Sequence, residues 1–310
     1  MRDKIVDFHA DDYGYTLNTS KGILDCMKQG ALDSISLITN TSYFDKSVEL
    51  LYEEIPNLPF LPEIAVHLNL VEGFASNKNF NVIVENGILD LSWGSILLKS
   101  LTPSRKKLKE ELKIEIKEQI EKTNVVIEEC LKIAHKNHIP YDQKGIRIDS
   151  HTHTHSIPIV WEALIEVIDE NKYNVEFIRN PKEPIWIFIK NIGLYKTYQP
   201  INFIKNFILN IFSHKIDRYA DSHHLQKMYM WGLIMSGHMD YDRVDKLYKD
   251  IYNKSKDEHR YLEILAHPGK ALSKEVRKEF SKENMKNFNL TENRDLEKEM
   301  FIRFNEVNHK

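Results

Sequence analysis

The sequence predicts an α/β protein in which parallel strands, joined by crossover helices, form one domain. Short β-branched runs alternate with longer segments of helical periodicity as far as residue 267. That order gives βαβ units and a parallel sheet. Histidines and aspartates gather at or just past the ends of the apolar runs, where parallel α/β proteins carry their functional residues. The 310 residues contain no internal repeat, low-complexity tract or inter-domain linker. Residues 1–310 therefore read as a single domain, of a size that α/β barrels of roughly 250 residues and more routinely reach.

The first strand is expected in IVDF, near residues 4–9. Asn18 to Ser20 then offer helix N-caps, Ile23, Leu24 and Met27 form an apolar stripe, and Gly30 suits the helix C-terminus. SISLIT at 34–39 is the second strand, residues 44–54 a helix, and EIAVHLNL at 63–70 the third strand. Residues 71–103 lack periodicity and read as a loop excursion. From Ser104 to Lys136, Leu108, Leu112, Ile116 and Ile120 recur every fourth residue, which predicts a long amphipathic helix whose charge run is a solvated face. GIRID at 145–149, a helix over 158–170 and VEFIR at 175–179 continue the alternation. The segment 185–215 reads as helical at least in part, capping the fold or lining a subunit contact. MWGLIM at 230–235, a helix over 240–253 and LEILAH at 262–267 complete the pattern, and the rest is charged and helix-prone.

A formal net charge of −3 gives no bulk reason to expect nucleic acid or an anionic membrane as partner. Cys26 and Cys130 lie far apart and outside any CxxC pair, so they read as buried inert thiols. MRDKIVDFHA runs straight into a strand without an apolar signal region. The most apolar stretch, Ile185 to Phe212, is interrupted by Lys190, Lys196, Pro200 and Lys205, so it is not a membrane span. The expectation is a cytoplasmic protein, and the same apolar stretch motivates the expectation of a homodimer.

The chemistry concentrates in FHADDYG (8–14), AVHLNL (65–70), IRIDSHTHTHSIP (146–158) and EILAHPG (263–269), each at a strand end. Separate strands delivering ionisable groups to one mouth is the arrangement a catalytic site needs. Consecutive residues of an extended chain point opposite ways, so Asp11 and Asp12 are expected to have different roles. His67 lies between Val66 and Leu68, where a charged side chain is expensive. In extended backbone Asp149, His151, His153 and His155 share one face. Three imidazoles and a carboxylate there point to a divalent metal, with outer groups orienting the ligands. His267, before Pro268 and Gly269, starts a tight turn able to hold its ring towards the same mouth.

HADDYG before a helix, VHLNL with Gly73 after it, IDSHTHTHSIP, FIRNP around Arg179, SGH at 236–238 and ILAHPG occur in that order over residues 9–269. In these motifs the sequence resembles the YdjC-like carbohydrate deacetylase family. The resemblance implies a distorted (β/α) barrel related to polysaccharide deacetylases, with one divalent ion, magnesium or zinc. Asp12, His67 and His151 match the family's metal ligands, Asp11 its general base and His267 its general acid. Arg179, His153 and His155 match positions lining the pocket. The implied activity is removal of acetyl groups from N-acetylated sugars or oligosaccharides through a metal-activated water. The alternatives are a barrel metal hydrolase of another ester, amide or phosphoester, or a sugar-binding relative without catalysis. The sequence departs from the family around Asp221, where YADSHHLQKM lacks the usual Phe and Gly. It also carries Arg294 and Glu297 of an R-x-x-E helix but ends soon afterwards, so the final barrel stave is expected to be missing or replaced.

Overall fold

The computed structural model describes residues 5–308. Its strands are β1 (Val6–Tyr13), β2 (Ser34–Leu37), β3 (Glu63–Leu68), β4 (Val84–Glu85), β5 (Ile88–Leu89), β6 (Ile146–Ser150), β7 (Val175–Ile178), β8 (Met228–Trp231) and β9 (Tyr261–Ala266). β4 and β5 pair as a small antiparallel hairpin. The other seven are parallel neighbours in the order β7-β6-β3-β2-β1-β9-β8. They curl into the distorted barrel expected from the resemblance, with β1 an interior strand between β2 and β9. The helices that pack outside are α1 (Leu17–Lys28), α2 (Phe44–Glu54), α3 (Trp93–Ser100), α4 (Arg105–Lys136), α5 (Pro158–Asn171), α6 (Ile185–Lys190), α7 (Pro200–Ser222), α8 (Tyr241–Asp257), α9 (Glu283–Asn289) and α10 (Asn293–Asn308).

β1 is buried at every residue, and its two faces differ in chemistry. Val6, Phe8 and Ala10 join the apolar core, with the Phe8 ring 6.2 Å from Phe301 and 5.9 Å from Phe304 of α10. Asp7, His9 and Asp11 alternate with them and meet polar residues of neighbouring strands inside the barrel. Ser34 donates to Asp7, and the single Ser36 hydroxyl is shared between Asp11 and Asp149 at 2.8 and 2.9 Å. Arg147 pairs with Asp7 and with Glu63. The strand period of two thus places a hydrophobic layer outside and an ionic one along the axis.

The long α4 is present as the spacing predicts, but its charge run is only partly a solvated face. Arg105, Lys109 and Lys113 pair with Glu162, Glu166 and Glu170 of α5. Glu111 and Glu115 are buried instead. Glu111 accepts the backbone N–H groups of Asn81, Val82 and Ile83, and Glu115 that of Ser76. These two carboxylates anchor the 71–103 excursion, which is more ordered than expected, since it contains β4, β5 and α3.

MWGLIM does not form one strand. β8 ends at Trp231 because the buried Glu183 carboxylate takes the N–H groups of Gly232, Leu233 and Ile234 out of the ladder, at 2.9, 3.1 and 2.8 Å. β7 and β8 are not ladder partners. A single bond from Met230 N–H to the Lys182 carbonyl (3.0 Å) crosses between them, and Phe177, Leu209, Met228, Met230 and Leu265 fill the gap. No strand follows β9 among the described residues; α10 packs outside the sheet as a helix, on α1 and α8. Burial raises the Glu183 carboxyl to about 7 against the pull of the three backbone donors and Asn206. Glu183→Ala strands those donors, and the chain is expected to lose about 2–4 kcal/mol of unfolding free energy, read as a lower midpoint in urea melts. An unchanged midpoint would contradict this account of the β8 turn.

Candidate metal centre

Asp12 reaches the mouth of the barrel through a backbone irregularity. The β1–β2 register shifts between Ala10 and Tyr13, and Asp12 takes a left-handed φ of 72°. A bulge of this kind re-aims a side chain. Asp11 therefore stays in the axial network while Asp12 turns towards β3 and β6, and the two carboxylates meet different partners, as their adjacency in an extended chain predicts.

Asp12, His67 and His151 come together, with one ligand atom from each within 4.8 Å of the others. Asp12 Oδ1 lies 3.3 Å from His67 Nε2 and 3.1 Å from His151 Nδ1. Asp12 Oδ2, His67 Nε2 and His151 Nε2 are buried without a hydrogen-bond partner. Buried polar atoms are rarely left so. On the far side of its ring, His67 Nδ1–H donates to Asp149 Oδ1 at 2.5 Å, which orients the ring and points Nε2 at Asp12. Burial alone would lower the His67 pKa, yet Asp11 and Asp149 push it up to about 10. His151 is likewise raised, to about 9, by Asp12 and Glu72 against its burial. Burial would raise Asp12, but His151 and His67 hold it far below the carboxylate range. The field at these atoms favours positive charge, and a carboxylate with two imidazoles is a donor set that suits a first-row divalent ion.

The histidine run does not stay extended. β6 ends at Ser150, residues 151–156 form a 3₁₀ turn, and Thr152 and His153 take φ of 54° and 58°. The expectation of one shared face for Asp149, His151, His153 and His155 is therefore corrected. His151 alone joins Asp12 and His67. His155 is a buried brace, its Nδ1 2.6 Å from Ser150 Oγ and its Nε2 2.8 Å from the Arg179 carbonyl. His153 is held well below the ordinary histidine range by burial and by the Arg179 charge, and its Nδ1 has no partner.

Arg179 sits behind the mouth rather than at it, with a fully buried side chain. It donates to both oxygens of Asp11, at 3.0 and 2.8 Å, and pairs with Asp149 at 2.9 Å and Glu263 at 2.5 Å. Burial would raise the Asp11 pKa; Arg179, with His67 and His9, holds it well below the usual range. Asp149 is lowered in the same way. His267 Nε2 lies 4.0 Å from Asp11 Oδ2. Its side chain is 16% exposed, against 4% for that of Asp11. Burial lowers its pKa, with Asp12 and Asp11 opposing. Its backbone N–H donates to Glu297 Oε2 at 2.8 Å, its ring meets Phe288 edge-on, and Arg294 pairs with Glu297. The turn after it is pressed on α1: a Cβ on Gly22 would lie 2.4 Å from Gly269 Cα, and Gly269 has φ +96°.

Several residues of the centre were not assigned a place from the sequence. Glu72 Oε1 lies 3.6 Å from His151 Nε2, and Tyr15 stacks near His151 with Phe280 against it. His9 bridges Ser34 and Ser36, and Glu263 lies under Arg179. The polar alternation Asp7, His9, Asp11 was the visible signal. Asp221 lies at the exposed end of α7, paired with Lys227 and apart from the centre.

The lowered carboxyls of Asp11 and Asp149 stabilise the fold fully above their unfolded value of about 3.9, a contribution lost as pH falls through their folded values. Arg179→Met reverses the sign, because carboxylates left unpaired gain by taking up protons. The variant is expected to lose roughly 3–5 kcal/mol at neutral pH and to recover part of it on acidification towards pH about 5. Urea melts across that range that ran parallel to the wild type would contradict the role given to Arg179.

Among curated proteins, the chain is 24% identical over 178 residues to the carbohydrate deacetylase of Danio rerio, covering 56% of this chain and 49% of that one. It is 28% identical over 181 residues to the carbohydrate deacetylase of Thermoanaerobacter pseudethanolicus, covering 57% and 61%. The matches thus span about half to three-fifths of those relatives' lengths. In structure it resembles a chain from Enterococcus faecalis V583 described as a cellobiose-phosphate cleavage protein, with TM-score 0.59 and 17% identity, over 97% of this chain and 91% of that one. The model of the YdjC-like protein family matches residues 6–135 and 144–303, the segments that build the barrel and bring Asp12, His67 and His151 together, and the chain belongs to that family.

Proposed function

We propose that the protein is a metal-dependent carbohydrate deacetylase that hydrolyses the acetamido group of an N-acetylated sugar or oligosaccharide. The observation that carries the reading is the Asp12–His67–His151 cluster with its three unpartnered buried donor atoms, beside a carboxylate and a histidine 4.0 Å apart. The deacetylase names of the curated relatives support the substrate class.

Asp12, His67 and His151 would hold one divalent ion; two imidazoles favour zinc or another first-row ion over magnesium. Bound there, the ion would supply Lewis-acid polarisation of the acyl carbonyl and of a water. Asp149 fixes the His67 tautomer that makes this ligation available. Asp11, kept ionised and oriented by Arg179, accepts the proton that the attacking water loses. His267, partly exposed beside Asp11, donates to the departing sugar amine. The products are acetate and a free amino sugar.

Acetate release from N,N'-diacetylchitobiose and longer N-acetylated sugars is expected to stop with chelator and return with zinc. Asp12→Ala and His151→Ala are expected to lose both bound metal and activity. Asp149→Asn keeps the ligands but loses the tautomer lock, with metal affinity down roughly 10–100-fold. If the Asp12→Ala and His151→Ala proteins kept metal and full activity, the ligand assignment would be wrong. Stoichiometric metal with no acetate from any sugar would sink the deacetylase reading.

A further inference from the structure

α7 is amphipathic the wrong way round. Its buried side carries Asn202, Asn206, Leu209, Ser213, Ile216 and Ala220. The polar members are engaged there: Asn206 with Glu183, Asn202 with the Ile234 carbonyl, and Ser213 through its carbonyl with Asn180. Asp217 adds the bidentate pair with Arg260 and a pair with Lys182. Ile201, Ile204, Phe207 and Ile211, at spacings of three and four, fall on the opposite side of the helix. They are 50, 57, 64 and 52% exposed. Just before α7, Trp186 and Ile192 are 70 and 74% exposed. Single exposed apolar side chains need no explanation, but an apolar stripe on the outer face of a helix marks an interaction surface.

Charge decides what covers it. Residues 184–216 carry no acidic residue, in a chain whose net charge is −3; Lys190, Lys196 and Lys205 are exposed there, while Lys215 buries its ammonium near the Trp161 and Phe212 rings. A two-fold contact through this surface would set the same lysine-rich patch against itself. A helix with Ile and Phe outward, lysines around them and a tryptophan at one end instead matches the pattern of segments lying in a membrane interface. No helix of the described residues is long and apolar enough to cross a membrane, so the contact is one of lying on the surface. We propose that the outer face of α7, with the segment from Ile185 leading into it, docks the protein on an anionic phospholipid surface. Apolar side chains enter the headgroup boundary, and the exposed Lys190, Lys196 and Lys205 meet lipid phosphates. The whole-chain charge conceals this because the balancing acids lie elsewhere, many of them paired on α4 and α5.

The test is sedimentation of the full chain with extruded vesicles of phosphatidylcholine alone and of equimolar phosphatidylcholine and phosphatidylglycerol, with light scattering of the free protein. Selective binding to the anionic vesicles is expected, weakened roughly tenfold or more by raised salt. The double variant Phe207→Glu/Ile211→Glu is expected to lose it while keeping the wild-type circular dichroism and melting curve. Ile204→Lys, which keeps the charge sign, gives a second reading of the apolar contribution and is expected to weaken binding. Equal binding to both vesicle types, or binding to neither, overturns the proposal. A dimer in solution that the double variant dissociates overturns it in favour of a second copy of the chain. The readout does not use catalysis, so failure here leaves the deacetylase reading standing, and the reverse holds.

Discussion

The rest of the structure depends on ions buried along the barrel axis. Asp7, Asp11, Asp149 and Glu263 are all but inaccessible, and the cations that reach them are Arg147 at one level and Arg179 at the next. An isolated buried carboxylate is strongly unfavourable, whereas the Arg179 guanidinium, presenting its fork to several at once, holds Asp11 and Asp149 ionised. The arrangement gains little for stability over an apolar core. It has two consequences for the mouth of the barrel. Asp11 is pinned through both oxygens, and Asp149 is held as an acceptor for His67 Nδ1–H. The geometry of the candidate metal centre is thus a surface expression of the ionic core beneath it.

That core explains which parts of the molecule were legible in the sequence. Strand positions came within a few residues because β-branched runs between turns are a local signal. His67, His151 and the Asp pair were legible because ionisable groups at strand ends are conspicuous against apolar neighbours. The histidine run was misjudged where local pattern stops informing. Treating 149–155 as extended ignored that the chain turns at Ser150, and two left-handed residues then separate the three rings. For Arg179 the resemblance implied a pocket-lining position, while its depth depends on carboxylates from β1, β6 and β9 that only the folded chain brings to it. Buried Glu111, Glu115 and Glu183 were invisible among many surface acids, since only the folded chain brings orphan backbone N–H groups to them.

α7 shows the same constraint from outside. Glu183 and Asp217 need polar partners where β7 and β8 fail to pair, and the helix beside that gap supplies Asn206, Asn210 and Asp217 on its inner face. Once those positions are polar, the helical period leaves the apolar residues outward. An exposed apolar stripe is therefore not an accident of a single substitution. It accompanies a crossover helix that patches an open seam of a barrel, and it persists only if the outer face is useful or tolerated.

The C-terminal part of the chain completes the argument. The departure from the family's pattern anticipated a missing or replaced stave, and α10 follows β9 without supplying a strand. Instead it sends Phe301 and Phe304 to the outside of β1, and Arg294 and Glu297 to the back of the His267 turn. The Gly22–Gly269 contact fixes the other side of that turn against α1. His267 is thus held between the helix that follows the Asp pair and the last helix of the described chain. A histidine on a loop would otherwise be free to move relative to Asp11, and proton transfer tolerates little displacement. The absence of a further strand after β9 therefore need not impair the centre, because what the site requires from this region is a fixed acceptor for one backbone N–H and a wall for one ring, and α10 with α9 provides both.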